Sequence, residues 1–196
     1  MVFLMHGWGT HRCAAGLPCR PKELTALTKS LVEASLTSFD EANGKHLGTW
    51  SPGFPELQVH PESPPTGPQV QCSLHFLAQG LLKILHDQRT SIFPRDAPLL
   101  QTLRDAVSRV QQLEACVKSY FGGQCAPKPP PPKMPKYVFE RKQWSHTLIK
   151  SAREYLNWLQ HKFQNQISKA RKTSKMKWST QKAKNLGYFV GRGHQL

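Results

Sequence analysis

Acidic residues run out in this chain after Glu154, and over all 196 residues 12 Asp and Glu stand against 27 Lys and Arg. The shortage is local. Residues 1–126 carry 11 basic and 10 acidic side chains, whereas residues 127–196 carry 16 and 2. The first part is therefore nearly neutral and the last third is a polycation. Such a third is either a solvated tail or a binder of polyanions such as heparan sulfate, nucleic acid or anionic lipid. Long apolar runs are missing too, so no segment is expected to span a membrane. The only apolar start, Val2 to Met5, is too short for the roughly 7–15-residue core of a signal peptide. On that reading the protein is cytosolic, or the sequence starts inside or beside the true N-terminus. No N-x-[ST] glycosylation acceptor gives a further hint of compartment.

Catalytic patterns are equally scarce. There is no H-E-x-x-H, no G-x-S-x-G, no phosphate-binding loop and no dinucleotide fingerprint. His75 and His86 are too far apart on one helix to share a ligand, and no cysteine pair has metal-site spacing. Cys116 sits beside an apolar helix face, which raises a thiol's pKa and argues against a nucleophile. The chain is expected not to be an enzyme, and to need no cofactor or metal. Five cysteines leave an odd one in an oxidising compartment. They are read as structural disulfides, with reduced core thiols as the alternative.

What is there is helical. Leu99, Leu103, Val107, Val110, Leu113 and Val117 fall at the three-and-four spacing of one buried face, with Cys116 closing the helix. Pro21 opens an earlier helix with Leu24, Leu27, Leu31 and Ala34 inward, and Asn43-Gly44 stops it. A loop from Lys45 to Pro68 follows, in which Trp50, Phe54 and Leu57 are the few large apolar groups. Another helix runs from about Gln71 to His86, with Leu74, Leu77, Leu81, Ile84 and Leu85 inward; its Gly80 costs roughly 1 kcal/mol against alanine. Pro127 to Pro135 reads as a polyproline II spacer inside a Pro-rich loop, 122–136. The last helix covers about Phe139 to Ile167, burying Leu148, Ala152, Tyr155, Leu156, Leu159 and Phe163. With no strand pattern, the expectation is one all-α domain over 21–167. A segment 1–20 holding Cys13 and Cys19 precedes it, and a basic, disordered tail, 168–196, follows. A cysteine ahead of the first helix and Cys116 at the end of a later one are placed to tie distant elements together.

With helices and cysteines in this order, the chain resembles a type III interferon, an interferon lambda. Pro21-Lys22-Glu23-Leu24 and its helix to Leu36 resemble the family's first helix. Trp50-Ser51-Pro52-Gly53-Phe54-Pro55 resembles its long first loop, and Leu113-Glu114-Ala115-Cys116-Val117 resembles the helix end carrying half a disulfide. Tyr155-Leu156-Asn157-Trp158-Leu159-Gln160 and the basic run Lys169 to Lys172 resemble a Trp-Leu helix and the segment after it. Pro52 stands where the family has a cysteine, and no cysteine follows Cys125. The final apolar helix is either replaced by the Lys-rich tail or supplied by Trp144 to Phe163.

The resemblance implies a helical cytokine bundle of the interferon and interleukin-10 type, secreted, which binds a heterodimeric class II receptor and triggers antiviral JAK-STAT signalling. It implies receptor contacts at Lys22, Thr25, Lys29, Trp50 and Phe54, the two aromatics serving otherwise as cover for the core. It also implies a Cys13–Cys116 disulfide, with Cys19 as the substitute for Cys13, leaving Cys72 and Cys125 free or as a weaker second pair. Lys169, Arg171, Lys172, Lys175 and Lys177 are the candidates for polyanion binding, with heparan sulfate as the partner. If the final helix is missing, the remaining helices expose inner faces and the protein signals poorly. Cys72-Ser73-Leu74 and Gln79-Gly80-Leu81 resemble interleukin-6 and interleukin-12 type subunits, which gives a second reading. An intracellular nucleic-acid-binding protein is the alternative of another class, with too few aromatics in the tail for a stacking platform.

Overall fold

Pro21 starts the first helix, as its fixed φ allows, and Glu23 in the first turn complements the helix dipole. The computed structural model describes the backbone of residues 19–62, 64–91 and 97–187, and the side chains of these up to 165 except Ser91. It contains α1 (Pro21–Asn43), a 3-10 turn (Pro55–Leu57), α2 (Gly67–Ser91), α3 (Ala97–Phe121) and α4 (Val138–Gly187), and among the described residues no strand. The protein is all-α. α1 ends at Gly44, whose φ of 98° favours glycine and whose N–H donates to the Asp40 carbonyl.

Cross-links between elements fix the topology. Cys19, just before α1, is bonded to Cys116 near the end of α3, so these helices run antiparallel. Cys72 in the early turns of α2 is bonded to Cys125, just past the end of α3, so α2 also opposes α3 and runs parallel to α1. Asn43 and Gln88, near the ends of α1 and α2, share a hydrogen bond, while Asp40 meets His146 in the early part of α4. The order is up, up, down, down. Two parallel pairs need two long crossovers, and the connections 44–66 and 122–137 provide them. In cross-section α1 packs on α3 and α4, and α2 packs on α3 and α4.

The inner faces of α2, α3 and the first half of α4 are those expected. Leu74, Leu77, Leu81 and Ile84, then Leu99, Leu103, Val110 and Leu113, then Leu148, Ala152, Leu156 and Leu159 are fully buried. The stripe on α1 is not. Thr25, Thr28, Val32, Ser35, Leu36 and Phe39 face inward, while Leu27 is 45% exposed and Ala34 is exposed. The three hydroxyls are spent within the helix, donating to the carbonyls of Pro21, Leu24 and Leu31 at 2.6, 2.7 and 2.8 Å. Small side chains whose hydroxyls are met within the helix let α1 lie close against two neighbours.

Two further expectations are corrected. α4 does not end near Ile167; its backbone is helical to Gly187, so the part of the 168–196 tail up to that glycine is not irregular. No Pro or Gly interrupts Val138 to Leu186, and Lys, Arg, Ala, Gln and Met are strong helix formers. Nor do inner faces stand open for want of a last helix. Trp144 to Phe163 closes the bundle, with Trp144, Leu148, Ile149, Tyr155 and Phe163 no more than 2% exposed.

The crossovers are held by side chains of the helices they cover. Gln143 donates to the Leu47 carbonyl at 2.7 Å, the Trp50 N–H donates to Thr147 Oγ1 at 2.8 Å, and Ser73 donates to the Glu56 carbonyl at 2.6 Å. Gln71 donates to the carbonyls of Gly122 and Gly123 at the start of the second crossover. Gly80 of α2 lies against α4, where an added Cβ would lie 2.5 Å from Leu148 Cδ2. Helix propensity alone would make Gly80→Ala stabilising by about 1 kcal/mol. Leu148 is fully buried, so its side chain yields only by displacing its core neighbours. Gly80→Ala is therefore expected to lower stability by about 1 kcal/mol net, overpacking outweighing propensity. A denaturant midpoint above that of the parent would refute this.

Candidate functional site

The five residues implied as receptor contacts do not form one surface. Lys22 is exposed at the start of α1, and Lys29 is half-buried, donating to Asn157 Oδ1 of α4 at 3.2 Å. Thr25 is fully buried with its hydroxyl bonded to Pro21, so it has nothing to offer a partner. Phe54 belongs to the core at 6% exposure, edge-on to Trp144 with ring centroids 5.4 Å apart. Trp50 alone of the two aromatics keeps a half-open face. Its anchor, Thr147, and the anchor of Lys29, Asn157, are ten residues apart on α4, roughly 15 Å.

Trp50, with Gly53 and Phe54, lines two clefts. One, of about 300 Å³, lies between the crossovers and is lined by Trp50, Phe54, Phe76, Pro131, Lys133 and Trp144. The other, of about 640 Å³, opens toward α4 past Pro52, Val59, Thr147 and Glu154. Both are open surface features; the larger also carries Thr49, Ser51, Gln58, His60 and Ser151 on its lining. Among the described residues no three His, Cys, Asp or Glu come together as a metal site. The four described cysteines are all in disulfides. The partner of Cys116 is thus Cys19, the substitute, and not Cys13, which lies outside the described residues. Cys19 stands where α1 begins beside the last turns of α3, with Cα atoms 5.3 Å apart, as a bridge requires. Cys72 and Cys125 are bonded to each other.

Burial pushes the Tyr155 hydroxyl above the ordinary phenol range, against the opposing effect of the Ser73 hydroxyl. It is a neutral core group and unsuited to proton transfer near neutral pH.

The most exposed large apolar side chains were not singled out from sequence. Tyr137, Val138 and Phe139, where the second crossover enters α4, are 74, 57 and 60% exposed. Val138 and Phe139 fall outside the stripe Trp144, Leu148, Ala152, Tyr155, and that mismatch was the available signal; Tyr137 is in line with the stripe but precedes the helix. The corner is fastened from below. Arg141 Nε pairs with Asp87 Oδ1 of α2 at 2.8 Å, and its Nη1 donates to the Lys136 carbonyl at 2.9 Å. Lys133, Lys136 and Lys142 stand around it in the sequence, with Glu140 the one acid among them. The polyanion candidates Lys169, Arg171, Lys172, Lys175 and Lys177 have helical backbone in the far part of α4, and their side chains lie outside the described set.

No helix among the described residues is long and apolar enough to cross a membrane. Set beside protein families, curated proteins and solved structures, the chain matches none of them.

Proposed function

We propose that this protein is a secreted helical cytokine that signals by bringing receptor chains together, with the corner Tyr137-Val138-Phe139 as a principal contact. The observation that carries this reading is the up-up-down-down bundle with two long crossovers, the arrangement of growth-hormone and cytokine bundles. The disulfides suit an oxidising, extracellular setting. Exposed aromatics held on a rigid base fit the role of interface anchors. Within this class, the resemblance supports a type III interferon, with Trp144 to Phe163 acting as the final helix.

A second reading, an interleukin-6 or interleukin-12 type subunit, is favoured by a separate observation. The stretch of α2 carrying that likeness holds both crossovers, through the Cys72 bridge to Cys125 and the Ser73 hydrogen bond to Glu56, and it also meets α4 at Gly80.

The test is a STAT reporter assay on cells bearing the type III interferon receptor, with disulfide-bonded full-length protein. Activation is expected. The Tyr137→Ala/Phe139→Ala variant should lose about 30-fold or more in potency, the equivalent of one 2 kcal/mol hot spot. Its stability should stay within about 0.5 kcal/mol, because both side chains are exposed. Silence on these cells, with a soluble partner chain co-purifying from secreting cells, would transfer the protein to the second reading. Full potency of the double variant would remove the corner from the interface.

A further inference from the structure

We propose that the part of α4 beyond the bundle is a cationic arm that binds sulfated polysaccharide, at the opposite end of the helix from the apolar corner. α4 has 50 residues, while α1, α2 and α3 have 23, 25 and 25. At 1.5 Å per residue it is roughly twice as long as the helices it packs on. Among the described side chains, the last of this helix in the hydrophobic core is Phe163. From Lys169 to Lys184 the sequence places seven Lys or Arg on this helix, within roughly 23 Å of its axis, and no acid follows Glu154.

That composition leaves the helix working against itself. Lys169 and Lys172, and Arg171 and Lys175, stand three and four residues apart, the positions at which like charges on a helix repel. A bound polyanion removes the repulsion and gains the release of its counterions. Helical backbone also spares much of the ordering cost a loose tail would meet.

Three observations select the polyanion. Between residues 164 and 187 Trp178 is the one aromatic, so there is no platform for stacking bases. Ile167, Met176, Trp178 and Leu186 do not recur at three-and-four spacing, so there is no apolar face to enter a membrane surface. Two disulfides match a compartment where sulfated polysaccharide is the polyanion at hand. The corner at Phe139 is some thirty residues, roughly 45 Å, from the start of the arm, so the two surfaces are independent.

The experiment measures heparin affinity of the full, disulfide-bonded chain against NaCl concentration. Affinity should fall on the order of 10³-fold between 50 and 200 mM salt. A full-length variant with Lys169, Lys172, Lys175 and Lys177 all changed to Gln should bind at least 100-fold more weakly at low salt, with about half the salt slope. Changing Lys133, Lys136 and Lys142 to Gln instead, or Tyr137→Ala with Phe139→Ala, should shift affinity less than about 3-fold. Unchanged affinity in the arm variant would overturn the proposal. So would equal or tighter binding to a DNA duplex matched in charge, or to phosphatidylserine vesicles.

Discussion

The Cys19→Ser/Cys116→Ser double variant is expected to lose about 4–5 kcal/mol of stability. The bridge spans a separation of 97 residues, and closing so long a loop removes much of the entropy of the unfolded chain. The loss is a large fraction of the 5–15 kcal/mol that typically holds a domain together. It should appear as a lower denaturant midpoint with a steeper slope, because the unfolded chain without the cross-link is more expanded. Cys13→Ser alone should leave stability unchanged, whereas the pairing implied by the interferon resemblance would make Cys13→Ser as costly as the double change. The Cys72→Ser/Cys125→Ser variant is the internal comparison. Its separation of 53 residues gives about 4 kcal/mol in the same model. Its local effect differs, since it frees the start of the second crossover from α2 and leaves α1 and α3 tied. Equal stability of the Cys19→Ser/Cys116→Ser variant and the parent would show that this bridge is not made.

Helices whose apolar residues recur every three or four positions were legible from sequence because burial of aliphatic side chains is the signal being read. α3 is the clearest case, with every residue of its expected stripe from Leu99 to Val117 buried. α1 misled for a definite reason: its inner face is built on Thr25, Thr28 and Ser35, which look polar but satisfy their hydroxyls within the helix. The hydrophobic pattern then favours the neighbouring line through Leu24 and Leu31, which is only half-buried, and Leu27, which is exposed. The reach of α4 was hidden by its charge, because a stretch without an apolar stripe reads as disordered even when it lacks any helix breaker. At the candidate surface, the first crossover was correctly seen as a loop whose aromatics dock. Which of them stays visible depended on Trp144, a residue from a distant helix. Phe54 went under it and Trp50 stayed half outside. The apolar corner at Tyr137 to Phe139 went unread because large hydrophobic residues next to a helix start are ordinarily counted toward its core.

Trp144→Ala should be the most damaging single substitution outside the cysteines, costing about 3–5 kcal/mol. The indole is 1% exposed and sits where α4 faces α2, a pair of helices with few direct contacts of their own. The space between them is filled from the crossovers. Phe54 meets the indole edge-on and itself lies 6.1 Å from Phe76, centroid to centroid, while Pro130 to Pro132 of the second crossover line the same cleft. Removing Trp144 thus takes away more than one buried side chain's transfer energy. It leaves Phe54 over a void too deeply set for the helices to close, and the cavity adds to the cost. Trp144→Phe should recover most of the loss, because it keeps an aromatic edge contact for Phe54. Trp50→Ala should cost less than about 2 kcal/mol, since that ring is already half in solvent. Equilibrium denaturation ranks the three variants. Hydrogen exchange over 44–66 then shows whether the loss is shared with the first crossover, whose protection should fall furthest in Trp144→Ala. If Trp144→Ala proved no worse than Trp50→Ala, the crossover would be held by its hydrogen bonds from Gln143, Thr147 and Ser73, and the indole would be a bystander. The present geometry argues otherwise: those three bonds fix the path of the loop, but only the ring of Trp144 gives its one buried aromatic a wall to pack on from α4.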